Sequence, residues 1–103
     1  MSVLLEFAMF PTDKGESVSS YVSRIIKTVD ESGYPYKLTP MGTIVETSTM
    51  PEALDILNKA YEQLEKDCHR VYASLKFDIR KGKENRMEGK VQSIEQKIGE
   101  VKK

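Results

Sequence analysis

Residues 70–80 alternate without interruption: Val71, Ala73, Leu75, Phe77 and Ile79 fall on one side, Tyr72, Ser74, Lys76, Asp78 and Arg80 on the other. A period of two predicts a strand with one covered and one solvated face. Ser2 to Phe10 is more uniformly apolar and is bounded by Pro11, which predicts a strand covered on both faces. Two shorter strands are predicted at 34–39, where Tyr34, Tyr36 and Leu38 alternate, and at 43–48, which is rich in β-branched residues. Pro35 suits the former to a sheet edge, and Pro40-Met41-Gly42 is the turn between them.

The remaining pattern is helical. Val18, Tyr21, Val22, Ile25, Ile26 and Val29 recur at the offsets of one helix face. Ser17 is the expected N-cap, with Glu16 near the positive helix end, and Gly33 the terminator. A second helix is expected after Ser48 or Thr49 as cap, with Pro51 in its first turn and Leu54, Leu57, Tyr61, Leu64 and Cys68 as its inward stripe. A polar linker, Lys81 to Asn85, precedes Met87, Val91, Ile94, Ile98 and Val101, whose 4-3-4-3 spacing predicts a final amphipathic helix. Gly89 and Gly99 weaken it by about 1 kcal/mol each relative to alanine, so it needs a surface to dock on.

This order, β-α-β-β-α-β plus a tail helix, predicts an α+β ferredoxin-like fold. Right-handed crossovers put both helices on one face of a four-stranded antiparallel sheet, with the first and third strands central. Residues 1–80 form that domain. Residues 81–103 add the linker and C-terminal helix, part of the same domain or of its oligomer interface. A chain of 103 residues holds one such domain.

Alternation assigns the faces. Val3, Leu5, Phe7, Val45, Val71, Ala73, Leu75 and Phe77 belong to the helix side. The opposite, open face carries Leu4, Glu6, Ala8, Lys37, Ile44, Glu46, Ser74, Lys76 and Asp78. Uncovered Leu4 and Ile44 need a partner, so self-association through this face is expected, as a homodimer or a dimer of dimers. Glu6 and Glu46 on adjacent central strands would favour a cation or pair with Lys37 and Lys76, and an ion-pair network at a subunit interface is the plainer reading. No nucleophile or second titrating group is placed beside them, so acid–base catalysis is not expected.

Composition narrows this further. Sixteen basic and 16 acidic residues cancel, which removes any whole-chain electrostatic case for nucleic acid or an anionic membrane. The tail helix carries both charge signs on its polar face, unlike basic membrane-surface helices. One cysteine excludes an intramolecular disulfide; with no secretory segment in view, a cytoplasmic setting is expected. Cys68 and the single histidine, His69, are adjacent, which is poor metal-site spacing. No metal, cofactor or catalytic residue is assigned.

Pro11 through Val22 reads P-x3-G-x-SVS-x-YV, Glu31 to Gly33 reads ESG, Tyr34 to Glu46 reads Y-x-Y-x-L-x-PMGT-x-VE, and Arg70-Val71 opens the last strand. In these segments the chain resembles the small thiamine-binding-protein-like family over about residues 2–80, most specifically at Pro40 to Glu46. The resemblance implies a ferredoxin-like fold, homo-oligomers built by packing sheets, and in some members binding of thiamine or its hydroxymethylpyrimidine part, without catalysis. By position it puts Thr43 and Glu46 nearest a ligand. A cationic thiazolium and a flat aminopyrimidine need carboxylate, hydrogen-bonding groups and an apolar or aromatic wall. The candidate ligand set is Glu46, Thr43, Glu6, Ser74, Lys76 and Tyr36, with Tyr72 as a further aromatic. Thr43 and Glu46 differ in parity, so a regular strand sends them to opposite faces unless Thr43, at the strand start, escapes the alternation. The alternative function is a structural or regulatory module whose open face only mediates assembly.

Overall fold

The computed structural model describes residues 1–102. Lys103, the last residue of the expected tail segment, lies outside the described residues. The elements follow as β1 (Ser2–Pro11), α1 (Ser19–Glu31), β2 (Tyr36–Thr39), β3 (Gly42–Thr47), α2 (Met50–Glu65), β4 (Val71–Arg80) and α3 (Arg86–Ile98). The strands form one antiparallel sheet in the order β2-β3-β1-β4. This is the ferredoxin-like arrangement, with an added helix.

The central strand β1 sets the core. Val3, Leu5, Phe7 and Met9 point to the helix side and are buried, and Leu5 lies opposite Val45 of β3 and Phe77 of β4. Ile25 and Val29 of α1, with Ala53, Ile56, Ala60 and Leu64 of α2, close over them. Each fully buried aliphatic side chain of this kind contributes about 1.5–3 kcal/mol.

Helix starts differ. Thr49 caps α2 as expected: its hydroxyl accepts the Glu52 N–H at 3.3 Å, while the Glu52 carboxylate accepts the Thr49 N–H at 2.9 Å. Ser17 does not cap α1. That helix begins two residues later, at Ser19, with Val18 as an N-cap lacking a side-chain bond.

Two expectations about coverage are corrected. The inward stripe of α2 is Ala53, Ile56, Ala60 and Leu64, whereas Leu54 is 50% and Tyr61 42% exposed. Both sets of positions have helical spacing, but the small alanines allow close packing, and the helix turns them inward. On β4, Val71 and Phe77 are only partly covered, Ala73 is exposed, and Leu75 and Ile79 are 45% and 49% exposed. The cause is placement: α2 packs over β1 and β3, and α1 over β1, leaving the β4 edge uncapped.

Candidate functional site

The register resolves the sheet into rows. On the open face Lys37, Ile44, Glu6 and Lys76 share one row, Glu46, Leu4 and Asp78 the next, and Ala8 and Ser74 lie opposite each other in a third. Phe10 and Tyr72 follow, their rings 5.8 Å apart. Lys76 approaches Glu6 to 3.8 Å, a loose contact between solvated groups that contributes little.

Glu46 is already engaged. Its carboxylate accepts the Ser2 hydroxyl at 2.7 Å and the backbone N–H groups of Arg86 at 3.0 Å and Met87 at 3.2 Å. These are otherwise orphan donors of the first turn of α3, so Glu46 caps that helix from across the chain and meets its positive dipole end. Burial pushes its pKa up, but the bonds from Ser2, Arg86 and Met87 and the Arg86 charge outweigh this and leave it below its ordinary value.

The buried Arg86 guanidinium completes the anchor. It donates to the Ser2 hydroxyl at 3.2 Å, to the Ser2 carbonyl at 3.0 Å and to the Asp78 carbonyl, and it pairs with the Asp78 carboxylate at 2.9 Å. Lys90 reaches the other Asp78 oxygen at 2.8 Å. The hydrogen bonds from Lys90 and Arg86 lower the Asp78 carboxyl from 3.8 to about 2. Sequence reasoning missed Ser2 and Arg86 here. The available signal was a helix start at Arg86 that wants an anion, facing a sheet that offers Glu46. A hollow of about 430 Å3 remains beside α3, lined by Leu4, Glu6, Ile44, Lys76, Met87 and Lys90 among others.

The helix side holds a different kind of cavity. A cleft of about 280 Å3 lies between α1 and the β2–β3 hairpin, walled by Phe7, Met9, Val22, Ile25, Ile26, Leu38 and Met41, with Thr43 in its lining. Thr39 shapes its mouth: the hydroxyl donates to the Gly42 carbonyl at 2.8 Å and accepts the Met41 N–H at 3.3 Å. A Cβ at Gly42 would lie 3.0 Å from the Phe7 carbonyl oxygen, so glycine lets the hairpin close against β1.

Thr43 is only 4% exposed, and no hydrogen bond among the described residues engages its hydroxyl. No occluded side-chain N or O atom among the described residues lacks a partner. The Thr43 oxygen is therefore not sealed, and the cavity is where it can open.

The structure does not gather the six candidates into one site. Glu6, Ser74 and Lys76 share the open face, and Glu46 lies there too but holds α3. Thr43 lies opposite Phe7, and Tyr36 opposite Val45, so both belong to the helix side. Parity decides this, and the strand start gives Thr43 no escape from it. The Tyr36 hydroxyl donates to Asp30 at 2.7 Å, a bond that raises its pKa. Elsewhere, the His69 N–H donates to Asp13 at 2.8 Å, and burial raises the Cys68 thiol. Among the described residues no helix is long and apolar enough to cross a membrane.

The family model of thiamine-binding proteins matches residues 5–95. A UPF0045 protein of Mycobacterium bovis is 35% identical over 95 residues, covering 92% of this chain and 93% of its own. UPF0045 protein MJ1052 of Methanocaldococcus jannaschii is 36% identical over 92 residues, with 89% and 91% covered. The crystal structure of MJ1052 superposes with a TM-score of 0.81 at 35% identity, covering 90% of this chain and 95% of that one. A Thermotoga maritima protein assigned provisionally to thiamine biosynthesis or salvage shares the fold, with a TM-score of 0.78 at 22% identity and 91% and 99% covered. On the family model and these relatives together, the chain belongs to the thiamine-binding protein family.

Proposed function

We propose that this protein is a non-catalytic, cytoplasmic binder of a small flat heterocycle of the thiamine type, held in the cleft between α1 and the β2–β3 hairpin. The family supports the ligand class. The observation that carries the site is the Thr43 hydroxyl, nearly buried and unpartnered among walls that are apolar apart from Thr39 at the mouth. A planar ring desolvates well against such walls, and one polar group fixes its orientation.

The chemistry favours the neutral pyrimidine half. No charged residue lines the cleft, so a thiazolium cation finds no counter-ion there. The volume is just under the ~300–1,000 Å3 usual for ligand pockets and suits one ring system better than two. The acidic groups of the open face, Glu6 and Glu46, lie on the other side of the sheet.

Calorimetry with hydroxymethylpyrimidine and with thiamine tests this. The pyrimidine binds more tightly, and Thr43→Val weakens it about tenfold, the loss of one hydrogen bond of about 1–1.5 kcal/mol, with the melting temperature held. No heat from either compound at millimolar concentration overturns the ligand class. Binding that survives Thr43→Val but is lost in Glu6→Gln moves the site to the open face.

A second reading, assembly through the open face, is favoured by the apolar residues α3 leaves unburied. Ile94 and Ile98 stay exposed while Leu4 and Ile44 are only half-buried. Light scattering of an Ile98→Glu variant tests it, with dissociation expected.

A further inference from the structure

We infer that Met41 is the lid of the cleft and sets its choice of ligand: the side chain folds over a bound neutral ring and is held off by a charged one. This rests on the reading that the cleft takes a thiamine-type heterocycle, and it adds the residue that discriminates among such compounds.

The floor of the cleft is one row of the sheet. Leu38 of β2 lies opposite Thr43 of β3, and Thr43 lies opposite Phe7 of β1. Cover is uneven along that row. α1 packs chiefly on α2 and β1, so Phe7 is buried while Leu38 is 59% exposed. Met41, at the hairpin tip, lines the same cleft and is 87% exposed, the highest value for a large apolar side chain among the described residues. Two large apolar side chains thus stand in water at the mouth of an apolar hollow.

The backbone at Met41 is tied, and its side chain is not. The Thr39 hydroxyl accepts the Met41 N–H and donates to the Gly42 carbonyl. Gly42 in turn sits close against the Phe7 carbonyl. Closure is therefore a movement of the side chain rather than of the hairpin. Methionine suits that task, because it is unbranched and flexible and its sulfur makes favourable contacts with aromatic rings. Folding the thioether over a ring on the floor takes both apolar surfaces out of water.

Such a lid discriminates by charge. Hydroxymethylpyrimidine is neutral and occupies the hollow as a single ring, so Met41 closes on it. The thiazolium of thiamine stays hydrated at the mouth, since burying it beside a thioether with no counter-ion is costly. It props the lid open. Met41 therefore adds affinity for the pyrimidine and little for thiamine.

NMR of the full chain with methyl-labelled methionine tests this, using hydroxymethylpyrimidine and thiamine as probes. Met9 lies in the cleft wall and reports occupancy, whereas Met87 lines the hollow beside α3 and serves as the control. The pyrimidine shifts the Met9 and Met41 methyl signals and leaves Met87 in place; thiamine shifts Met9 but not Met41. By calorimetry, Met41→Ala weakens pyrimidine binding about tenfold, mainly through faster dissociation, and thiamine binding less than about twofold. The melting temperature of the free protein holds, because the side chain is already in water. A Met9 signal indifferent to both compounds overturns the cleft as the site, and the lid with it. A Met9 signal that moves with the pyrimidine while Met41 stays still overturns the lid alone, as do equal losses for the two compounds in Met41→Ala.

Discussion

β1 and β4 are neighbours of equal length, ten residues each, both of them alternating and paired along their whole extent. Their environments are nearly opposite. Every helix-side residue of β1 is buried, while three of the five on β4, Ala73, Leu75 and Ile79, are exposed. The difference comes from what lies beside each strand. β1 has a strand on either flank and two helices above it; β4 has one flank, and α1 and α2 pack chiefly over β1 and β3 instead. Alternation specifies which face a side chain joins, and neighbours decide whether that face is dry.

The largest expected effect breaks the comparison directly. Leu5→Ala removes a fully buried side chain and costs about 2–5 kcal/mol. Leu75→Ala, on the same face one strand over, costs under about 1 kcal/mol in the monomer, because its side chain is half in water already. Urea unfolding at low protein concentration measures both. Equal costs would mean that β4 is covered within a single chain.

A smaller effect concerns the one cover β4 does have, the anchor of α3. Glu46→Gln keeps an acceptor but loses the charge and turns an amide toward other donors. The cost is about 1.5–3 kcal/mol, the scale of a hydrogen bond to a charged group. It falls on α3 rather than on the core. Hydrogen exchange reads the difference: the Arg86 and Met87 amides lose protection while those of β1 keep it. Uniform loss across the sheet would make Glu46 a core residue instead of a helix anchor.

Much of this fold was legible in the sequence because strand alternation and a helix cap at Ser48 or Thr49 are local signals. The strand order followed from crossover geometry. The parity conflict between Thr43 and Glu46 was legible too, and the structure resolves it by placing them on opposite sides of the sheet. What was not legible was rotation and depth. Two stripes of α2 have helical spacing, and the larger residues, Leu54 and Tyr61, looked like the core, but Ala53 and Ala60 are what the packing turns inward. The Ser2–Glu46–Arg86–Asp78 cluster joins residues up to 84 positions apart, and no local pattern encodes such a meeting. The cleft beside Thr43 was hidden for the same reason. The motif Pro40 to Thr43 marks its mouth, but its walls come from β1 and α1.

The smallest expected effect sharpens the contrast by titration. Asp78 carries its proton at about 2 in the folded chain against 3.8 ordinarily, and Glu46 is also lowered, from 4.5. A carboxyl depressed by folding contributes stability that is full above its unfolded value and is lost as pH falls through the folded one. The contribution of both groups to the α3 anchor is therefore complete above about pH 4.5 and declines toward pH 2. The helix-side residues of β1, Val3, Leu5, Phe7 and Met9, belong to a buried cluster that contains no carboxylate. The helical signal of α3 and the protection of the Arg86 amide should thus fall first as the solution is acidified, with β1 amides still slow to exchange. Asp78→Asn should move the onset of that loss upward in pH, because Glu46 then carries the anchor with one carboxylate fewer beside Arg86. Simultaneous loss of α3 and β1 protection in the wild type would show that the anchor and the core are one cooperative unit, and that the bare side of β4 is bound into it more tightly than its exposure implies.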